Sequence, residues 1–440
     1  MSDDIHVASI HALYLRLKTY PQPSQYTILA ALYLTNNATS ECKIISLGTG
    51  TKCLPENRLT AHGEAIHDSH AEILARRGGI RWLLEEILRE RDSKSKWIER
   101  QEDSYRLRNG VELRMYISTV PCGDASTRFL AASQDPDMAT LKDSAVVIPP
   151  EGATARGRNN YHLYNVLRTK PGRADSPPTL SLSCSDKIAS WAWLGFQGFL
   201  CARFFLQGIY ITKIIIGEVL STDDVNLINS VAEDCKRALG GRLEGLLPDI
   251  HRGAYALHIP TIVFTSIPFV HSRTVLGFGT ANTSSHESLC WWADPLSPPT
   301  LLQSEVETGT VQVIINGFKR GASPKHRQRL QDDKFLPYLC KLSMFRLYAR
   351  VCKEIYNEEI SSTQSYYDIK TGPGPIHYYY EAKALLKGPS GPFSDWWGRQ
   401  SELPPGLTEE DQDAEELSFR SLAPQLGCWE RFNIEGKVIY

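Results

Sequence analysis

The spacing of apolar and polar residues divides the first half of the chain into segments of two different periods. "YTILAALYL" (26–34) is an unbroken apolar run that suits a helix or a buried strand, and "CKIISLGTG" (42–50) reads as a strand ending in a glycine-rich turn. "AEILARRGGIRWLLEEILRERDSK" (71–94) repeats its apolar residues at helical spacing through Leu88, with acids and bases off the stripe, and predicts a long helix. "VELRMYIS" (111–118) alternates as a strand does and runs into "TVPCGD", where a proline followed by small and acidic residues suits a strand-to-helix junction. "ITKIIIGEVL" (211–220) is a β-branched run of the kind found in buried strands. Strands alternating with helices imply an α/β fold.

Beyond residue 220 the texture changes. "ESLCWWADPLSPPTLLQSE" (287–305) reads as a connector, "TVQVIINGFKRG" (310–321) as a strand and turn, and "DKFLPYLCKLSMFRLYARVCKEIY" (333–356) as an amphipathic helix. The stretch from Gly388 to about Leu417 is rich in proline and glycine and then acidic, as a solvated loop would be. No repeat of fixed period is visible. This organisation suggests one domain over 1–440, with a core at about 20–220 and a C-terminal elaboration at about 221–440.

Composition narrows the function classes. With 42% hydrophobic and 22% charged residues the chain has material for a substantial core, and 48 Lys+Arg against 50 Asp+Glu (net charge −2) argue against a histone-like, tail-driven nucleic-acid binder. A local basic surface stays open. The N-terminus lacks the pattern of a secretory signal, and no run approaches the roughly 18 apolar residues of a membrane span. Ten scattered cysteines in a chain of this size fit reduced thiols, so an intracellular location, cytoplasm or nucleus, is expected.

The chemistry concentrates in three short stretches. "IHDSHAEILARR" (66–77) places His70 and Glu72 two positions apart at a predicted helix start. Ser69 and Glu72 also have capping-box spacing, an ordinary structural use for that carboxylate. "STVPCGDAS" and "LSCSDKIASW" then place Cys122 and Cys184 at predicted helix starts, where unpaired N–H groups favour a thiolate. One His and two Cys are three ligands that leave a tetrahedral zinc ion an open position. H-x-E followed by P-C is the signature of the zinc nucleobase deaminases, in which the glutamate moves protons. The usual second cysteine of P-C-x-x-C is Ala125 here, so the second thiol must come from elsewhere. Cys184, 62 residues on, sits within its own motif.

"GTGTKC", "HAEILARR", "PCGD", "LRTKPGRAD", "SCSDKIASW" and "GFQG", in this order between about residues 48 and 200, closely resemble the adenosine deaminases acting on RNA. The likeness is to their tRNA branch, which makes inosine beside the anticodon of alanine tRNA, at position 37. Weaker similarities ("YLCK", "YYEAK", "DWW") extend to about residue 399. The resemblance implies a three-layer α/β/α cytidine-deaminase-like core with a largely helical C-terminal elaboration. It implies His70, Cys122 and Cys184 as ligands of one catalytic Zn2+, and Glu72 as the group that takes a proton from the zinc-activated water and delivers it to the purine. Thr51 and Lys52 match family positions that contact the flipped nucleotide.

The same resemblance implies a second ligand. In the related enzymes a buried cavity holds inositol hexakisphosphate. The matching positions here are Arg76, Arg77, Lys187, Trp191, Gln197, Lys341, Tyr366, Lys370, Tyr379, Lys383 and Trp396. His67 stands where some relatives have Asn and Ser190 where they have Arg, so the contact set is altered. Asp68, Lys170 and Lys187 would form a polar relay from the phosphate to the metal.

The RNA partner is expected to be a tRNA. Only 69 residues precede His70, and these already read as deaminase-like elements, leaving no room for the double-stranded-RNA-binding domains of the duplex editors. Two acid-free basic stretches could contact phosphates: Arg156, Arg158, Arg168, Lys170 and Arg173 in one, and Lys319, Arg320, Lys325, Arg327 and Arg329 in the other. Lys319 and Arg320 are the candidates in the second. Two rival readings are an editor of mRNA hairpins and an inactive tRNA-binding subunit with a structural zinc. No obligate protein partner is evident.

Overall fold

The computed structural model describes residues 3–132, 154–157, 163–170, 176–177, 179–246, 255–277, 283–296, 309–322, 334–371, 377–394 and 431–438. In chain order the elements that position the site begin with α1 (Asp3–Arg16), β1 (Leu29–Asn36), β2 (Cys42–Thr49), β3 (Thr51–Cys53), β4 (Asp68–His70), α2 (Ala71–Asp92) and β5 (Val111–Ile117). They continue with α3 (Cys184–Leu194), β6 (Ile211–Ile216), α4 (Val225–Ala238), β7 (Thr261–Phe264), β8 (Glu287–Ala293), β9 (Gly309–Ile315) and β10 (Phe318–Lys319). Helices α5 (Lys341–Tyr356) and α6 (His377–Lys387) follow.

Eight strands form one mixed sheet in the order β7-β6-β5-β1-β2-β8-β9-β10. The pairs β7·β6 and β6·β5 are parallel and the remaining pairs antiparallel. Strands from before and after residue 220 therefore hydrogen-bond side by side. The two faces are covered by different helices. On one face His6 and His11 of α1 meet Tyr33 and Tyr116, while Val7, Ile10, Leu13 and Tyr14 are buried. On the other, α2 crosses β1, β2 and β8, with α5 packed against α2. Burial on both faces is why "LAALYL" carries no alternation and forms a strand instead of a helix. A second, smaller core of Trp193, Leu243, Tyr255, Leu386 and Phe393 joins α3 to α6.

Three expectations are corrected. Residues 287–293, read as part of a connector, are the central strand β8. It is buried from Ser288 onward and pairs Trp291 with Leu47 on one side and Val311 on the other. The proline-rich sequence that follows masked a strand whose two faces are both apolar. The C-terminal amphipathic helix begins at Lys341, with Cys340 as its N-cap, because the Pro337 turn precedes it. Of the stretch read as a solvated loop, residues 388–394 are described, and there Phe393 is buried in the second core.

The turn between β2 and β3 packs against β4 and β8 closely enough to require glycine. At Gly50, φ is +142°, and a Cβ would lie 2.2 Å from the Ser69 carbonyl oxygen and from Ser288 Oγ. Its own carbonyl accepts from Ala71 N at 3.0 Å, so this glycine sets the distance between β3 and the start of α2. Gly50→Ala is expected to destabilise the protein by about 1–3 kcal/mol in chemical denaturation and to displace the His70–Glu72 segment. Wild-type stability would contradict this account of the turn.

Candidate active site

Strand β4 delivers the first functional side chains. It pairs with β3 so that Thr51 lies opposite His70 and Cys53 opposite Asp68. The chain then turns directly into α2 with His70 as N-cap and no side-chain cap bond, so the capping box of Ser69 and Glu72 does not form. Glu72 is instead fully buried, and its Oε2 has no hydrogen-bond partner among the described residues. Such an atom is costly unless something outside the chain satisfies it. Burial, and the neighbouring Cys122, push its carboxyl above the usual carboxylate range.

The two thiols arrive from opposite directions. Cys122 follows β5, and Cys184 is the first residue of α3, whose N-cap Ser183 accepts from Asp186 N. Gly123, at φ +105°, brings the first loop against the second, where a Cβ would strike Ser183 Oγ at 2.2 Å. Ser185 N donates to Cys122 O at 3.0 Å, and Cys184 N to Cys122 Sγ at 3.4 Å. The Cys184 thiol donates to Cys122, and this bond, aided by Lys170 and His70, lowers the Cys122 thiol well below its ordinary value, while burial raises Cys184. His70 thus meets Cys122, and Cys122 meets Cys184, as the spacing of the motifs suggests.

Asp68 organises the surroundings. Its Oδ1 is 2.9 Å from His70 Nδ1, and its Oδ2 accepts from Lys170 Nζ at 2.8 Å, Lys187 Nζ at 2.5 Å and Ser181 Oγ at 2.8 Å. Lys170 Nζ also reaches Cys184 Sγ at 3.2 Å. Burial opposes ionisation of this carboxyl, yet Lys170, Lys187 and His70 hold it well below the usual carboxylate range. A carboxylate on Nδ1 orients an imidazole and leaves Nε2 for a ligand. The expected relay residues are therefore contiguous, with Ser181 as an additional member.

Cys53 was not anticipated. Its Sγ lies 3.1 Å from Asp68 Oδ1 and 3.4 Å from His70 Nδ1, and the ligand atoms of Cys53, Asp68 and His70 all fall within 4.8 Å of one another. This is a second donor set that shares His70. A dication bound there would share Asp68 with two lysine ammoniums.

Behind Asp68 lies a cavity of about 340 Å³. Arg76, Arg77, Lys187, Lys341 and Lys387 line it together with Trp191, Tyr379, His67 and Ser190, and Asp68 is the one acidic residue among the described lining residues. Arg76 stacks on Trp191 at 4.9 Å, and burial, with Arg77 adding, brings its guanidinium down to about 10. Burial and the nearby Lys383, Lys370, Arg76 and Lys187 pull the Lys387 ammonium well below the ordinary lysine value. So many cations round one space favour a strongly anionic occupant.

Six of the eleven expected phosphate contacts, Arg76, Arg77, Lys187, Trp191, Lys341 and Tyr379, line this cavity. Lys370 and Lys383 stand close enough to act on Lys387. Gln197 does not reach the lining. It is fully buried, accepts from Ile209 N at 2.9 Å and donates to Gln207 O at 3.3 Å, which closes the turn after α3. Tyr366 stacks on Phe432 at 5.4 Å and also lies outside the lining. Trp396 falls outside the described residues. Lys387 was missed, although Tyr379, Lys383 and Lys387 form an i, i+4, i+8 stripe along α6 that the sequence displays.

The substrate candidates are divided. Thr51 Oγ1 is buried beside His70, while Lys52 Nζ donates to Ser284 Oγ at 2.7 Å. Lys319 and Arg320 lie at the β9–β10 hairpin, whose Gly317 carbonyl accepts from Ile66 N at 2.8 Å, four residues before His70. Lys319 Nζ donates to Lys334 O, and Arg320 is exposed with Glu287 at 3.5 Å. In the other basic stretch Arg168 is 1% exposed and its guanidinium donates to Leu163 O at 2.9 Å, so in this structure it braces its own loop. Lys170 is likewise buried. Arg158, Arg173, Lys325, Arg327 and Arg329 lie outside the described residues.

Comparison with known proteins is decisive at this point. Residues 46–399 match the adenosine-deaminase (editase) domain family model. The chain belongs to this family. It is 35% identical to the tRNA-specific adenosine deaminase 1 of Drosophila melanogaster, over 78% of this chain and 82% of that protein. It is 28% identical to the protein of the same name from Schizosaccharomyces pombe, over 79% and 81%. The double-stranded RNA-specific editase Adar of Drosophila melanogaster is 29% identical over 56% of this chain and 37% of its own length. No helix among the described residues is long and apolar enough to cross a membrane.

Proposed function

We propose that this protein hydrolytically deaminates adenosine to inosine in a tRNA, at position 37 beside the anticodon of alanine tRNA. The observation that carries the chemistry is the buried carboxylate of Glu72, with one oxygen unsatisfied, beside His70 and the Cys122–Cys184 pair. The tRNA assignment is supported by likeness to the two tRNA-specific deaminases over most of their lengths. The alanine and position 37 assignments rest on the tRNA-branch motifs around Cys122, Lys170 and Cys184.

His70 Nε2, Cys122 and Cys184 would hold a zinc ion. Bound there, zinc supplies a Lewis acid that lowers the pKa of water toward neutrality. Glu72 takes one proton from the attacking water and passes it to N1 of the adenine, and then passes the second to the departing amine, so adenosine and water yield inosine and ammonia. Asp68 fixes the imidazole, and Lys170 places a positive charge against Cys184. An anticodon loop suits this buried site because its bases already lie outside a duplex, so extruding one costs least there.

On an unmodified alanine-tRNA transcript, sequencing is expected to find inosine at position 37 with wild-type protein. Glu72→Gln is expected to lower the rate by at least about 100-fold. Inosine at another site, or equal rates, would overturn the assignment of substrate or of shuttle respectively.

A second ligand set, Cys53, Asp68 and His70, deserves its own test because its donor atoms cluster so closely. Elemental analysis of purified variants separates the two. With His70, Cys122 and Cys184 as ligands, Cys53→Ala retains about one zinc per chain and Cys184→Ala loses it. The opposite result transfers the metal to the Cys53 set.

The cationic cavity would hold inositol hexakisphosphate, its phosphates met by Arg76, Arg77, Lys187, Lys341 and Lys387. Natively purified protein, extracted with acid, should yield about one inositol polyphosphate per chain by ion chromatography. Lys387→Met should retain less after dialysis against high salt. Wild-type protein without any such anion would remove this part of the reading.

A further inference from the structure

The two thiol-bearing loops carry matching aspartates. Asp124 stands two residues after Cys122 and Asp186 two residues after Cys184, and both are fully buried. Between them sits Arg242, from the short 3-10 turn Gly241–Leu243 that follows α4. Its side chain is 2% exposed, its Nη2 donates to Asp186 Oδ1 at 2.7 Å, and its Nη1 stands 3.9 Å from Asp124 Oδ2, a longer ion pair without a hydrogen bond. The guanidinium also lies over the Phe393 ring at 4.8 Å. Phe393 follows α6, the helix that carries Tyr379 and Lys387 to the cationic cavity.

We infer that Arg242 is a positioning residue that joins the Cys122 loop to the Cys184 helix and ties both to the segment carrying the cavity helix α6. The inference rests on the reading above that the two thiols hold zinc.

The geometry favours this role over simple charge pairing. Asp186 Oδ2 is already used locally, accepting from Ser183 Oγ at 2.6 Å and Arg168 N at 2.9 Å, which leaves Oδ1 for Arg242. Asp124 Oδ2 similarly accepts from Asn165 N at 3.0 Å and from Arg237. Each carboxylate is thus held from other segments as well, Asp124 by Asn165 and Arg237 and Asp186 by Arg168, while Arg242 hydrogen-bonds Asp186 and pairs at longer range with Asp124. A planar, forked guanidinium can address two carboxylates and still present its face to an aromatic ring, which an ammonium cannot. Asp68 reaches His70 and, through Lys170, Cys184, from the cavity side. Arg242 supplies a separate route from the C-terminal segment to both thiol loops.

The test uses the full-length, zinc-loaded protein and the rate at which zinc passes to a chromophoric chelator. Arg242→Met is expected to release zinc up to about 10-fold faster than wild type, the lower end of the effect of groups bonded directly to metal ligands, because Arg242 acts through Asp124 and Asp186. Arg242→Lys, which keeps the charge but not the fork, should fall between, and Phe393→Leu should release faster than wild type while retaining its far-UV circular dichroism. Arg89→Met, which removes a bonded arginine near the far end of α2, is the comparison: it should lower thermal stability without hastening zinc release. If Arg242→Met does not fold, Arg242→Lys and Phe393→Leu decide the question. Zinc-containing wild type with Arg242 variants that release zinc at its rate would overturn this inference alone. Wild type without zinc would overturn the metal reading itself.

Discussion

A single buried carboxylate holds the site together. Asp68 accepts from two lysines and a serine on one oxygen and is bonded to His70 on the other, in a place almost closed to water. At low dielectric an ion pair of this kind is stabilising only while every partner is present. Removing the carboxylate would leave two ammoniums and an imidazole facing one another. The partners come from β4, the loop at Lys170, the loop at Ser181 and helix α3. The fold must therefore bring four separate stretches to one point before any of them is electrostatically tolerable.

The cavity extends that logic. Cations from α2, α3, α5 and α6 converge on one space in which Asp68 is the acidic residue among the described lining residues, and burial, together with its positive neighbours, pulls the Lys387 ammonium well below its ordinary value. Self-repulsion of this kind opposes closure of the C-terminal helices over the core, and an anionic occupant reverses its sign. An occupant that binds only the folded chain would add to stability by mass action, and such a ligand and the fold would be thermodynamically one system. The wall that would meet such an anion is the other side of the carboxylate bonded to His70, so folding and chemistry would be in direct contact.

Much of the site was legible because its residues lie in short, self-contained motifs. His70 and Glu72 sit at the start of α2, Cys122 follows a strand, and Cys184 opens a helix, each as its local sequence suggests. Two candidate contacts are turned to local use by the folded chain. Arg168 looks like an RNA contact in a basic stretch, yet it is buried and its guanidinium donates to the carbonyls of Gly157 and Leu163. Gln197 matches a phosphate ligand, yet its amide closes a turn at Ile209 and Gln207. Cys53 and Lys387 carried no reading, because only folding sets one against His70 and the other into the cavity. Strand β8 was read as a connector because both of its faces are buried, which erases the alternation that marks a strand exposed on one side.

What the sequence determined by itself is the chemistry and the local elements: the identity and order of the motifs, the period of α2, and the strands whose apolar runs are bounded by turns. These depend on interactions within a few residues, which a linear string records. Tertiary structure decided which groups share a proton or a charge: the Asp68 hub, the unsatisfied Glu72 oxygen, the convergence of cations, and the bridge from Arg242 to Asp124 and Asp186. Burial and electrostatic coupling at 3 to 4 Å depend on distances between segments up to hundreds of residues apart, and those distances exist only once the chain has folded.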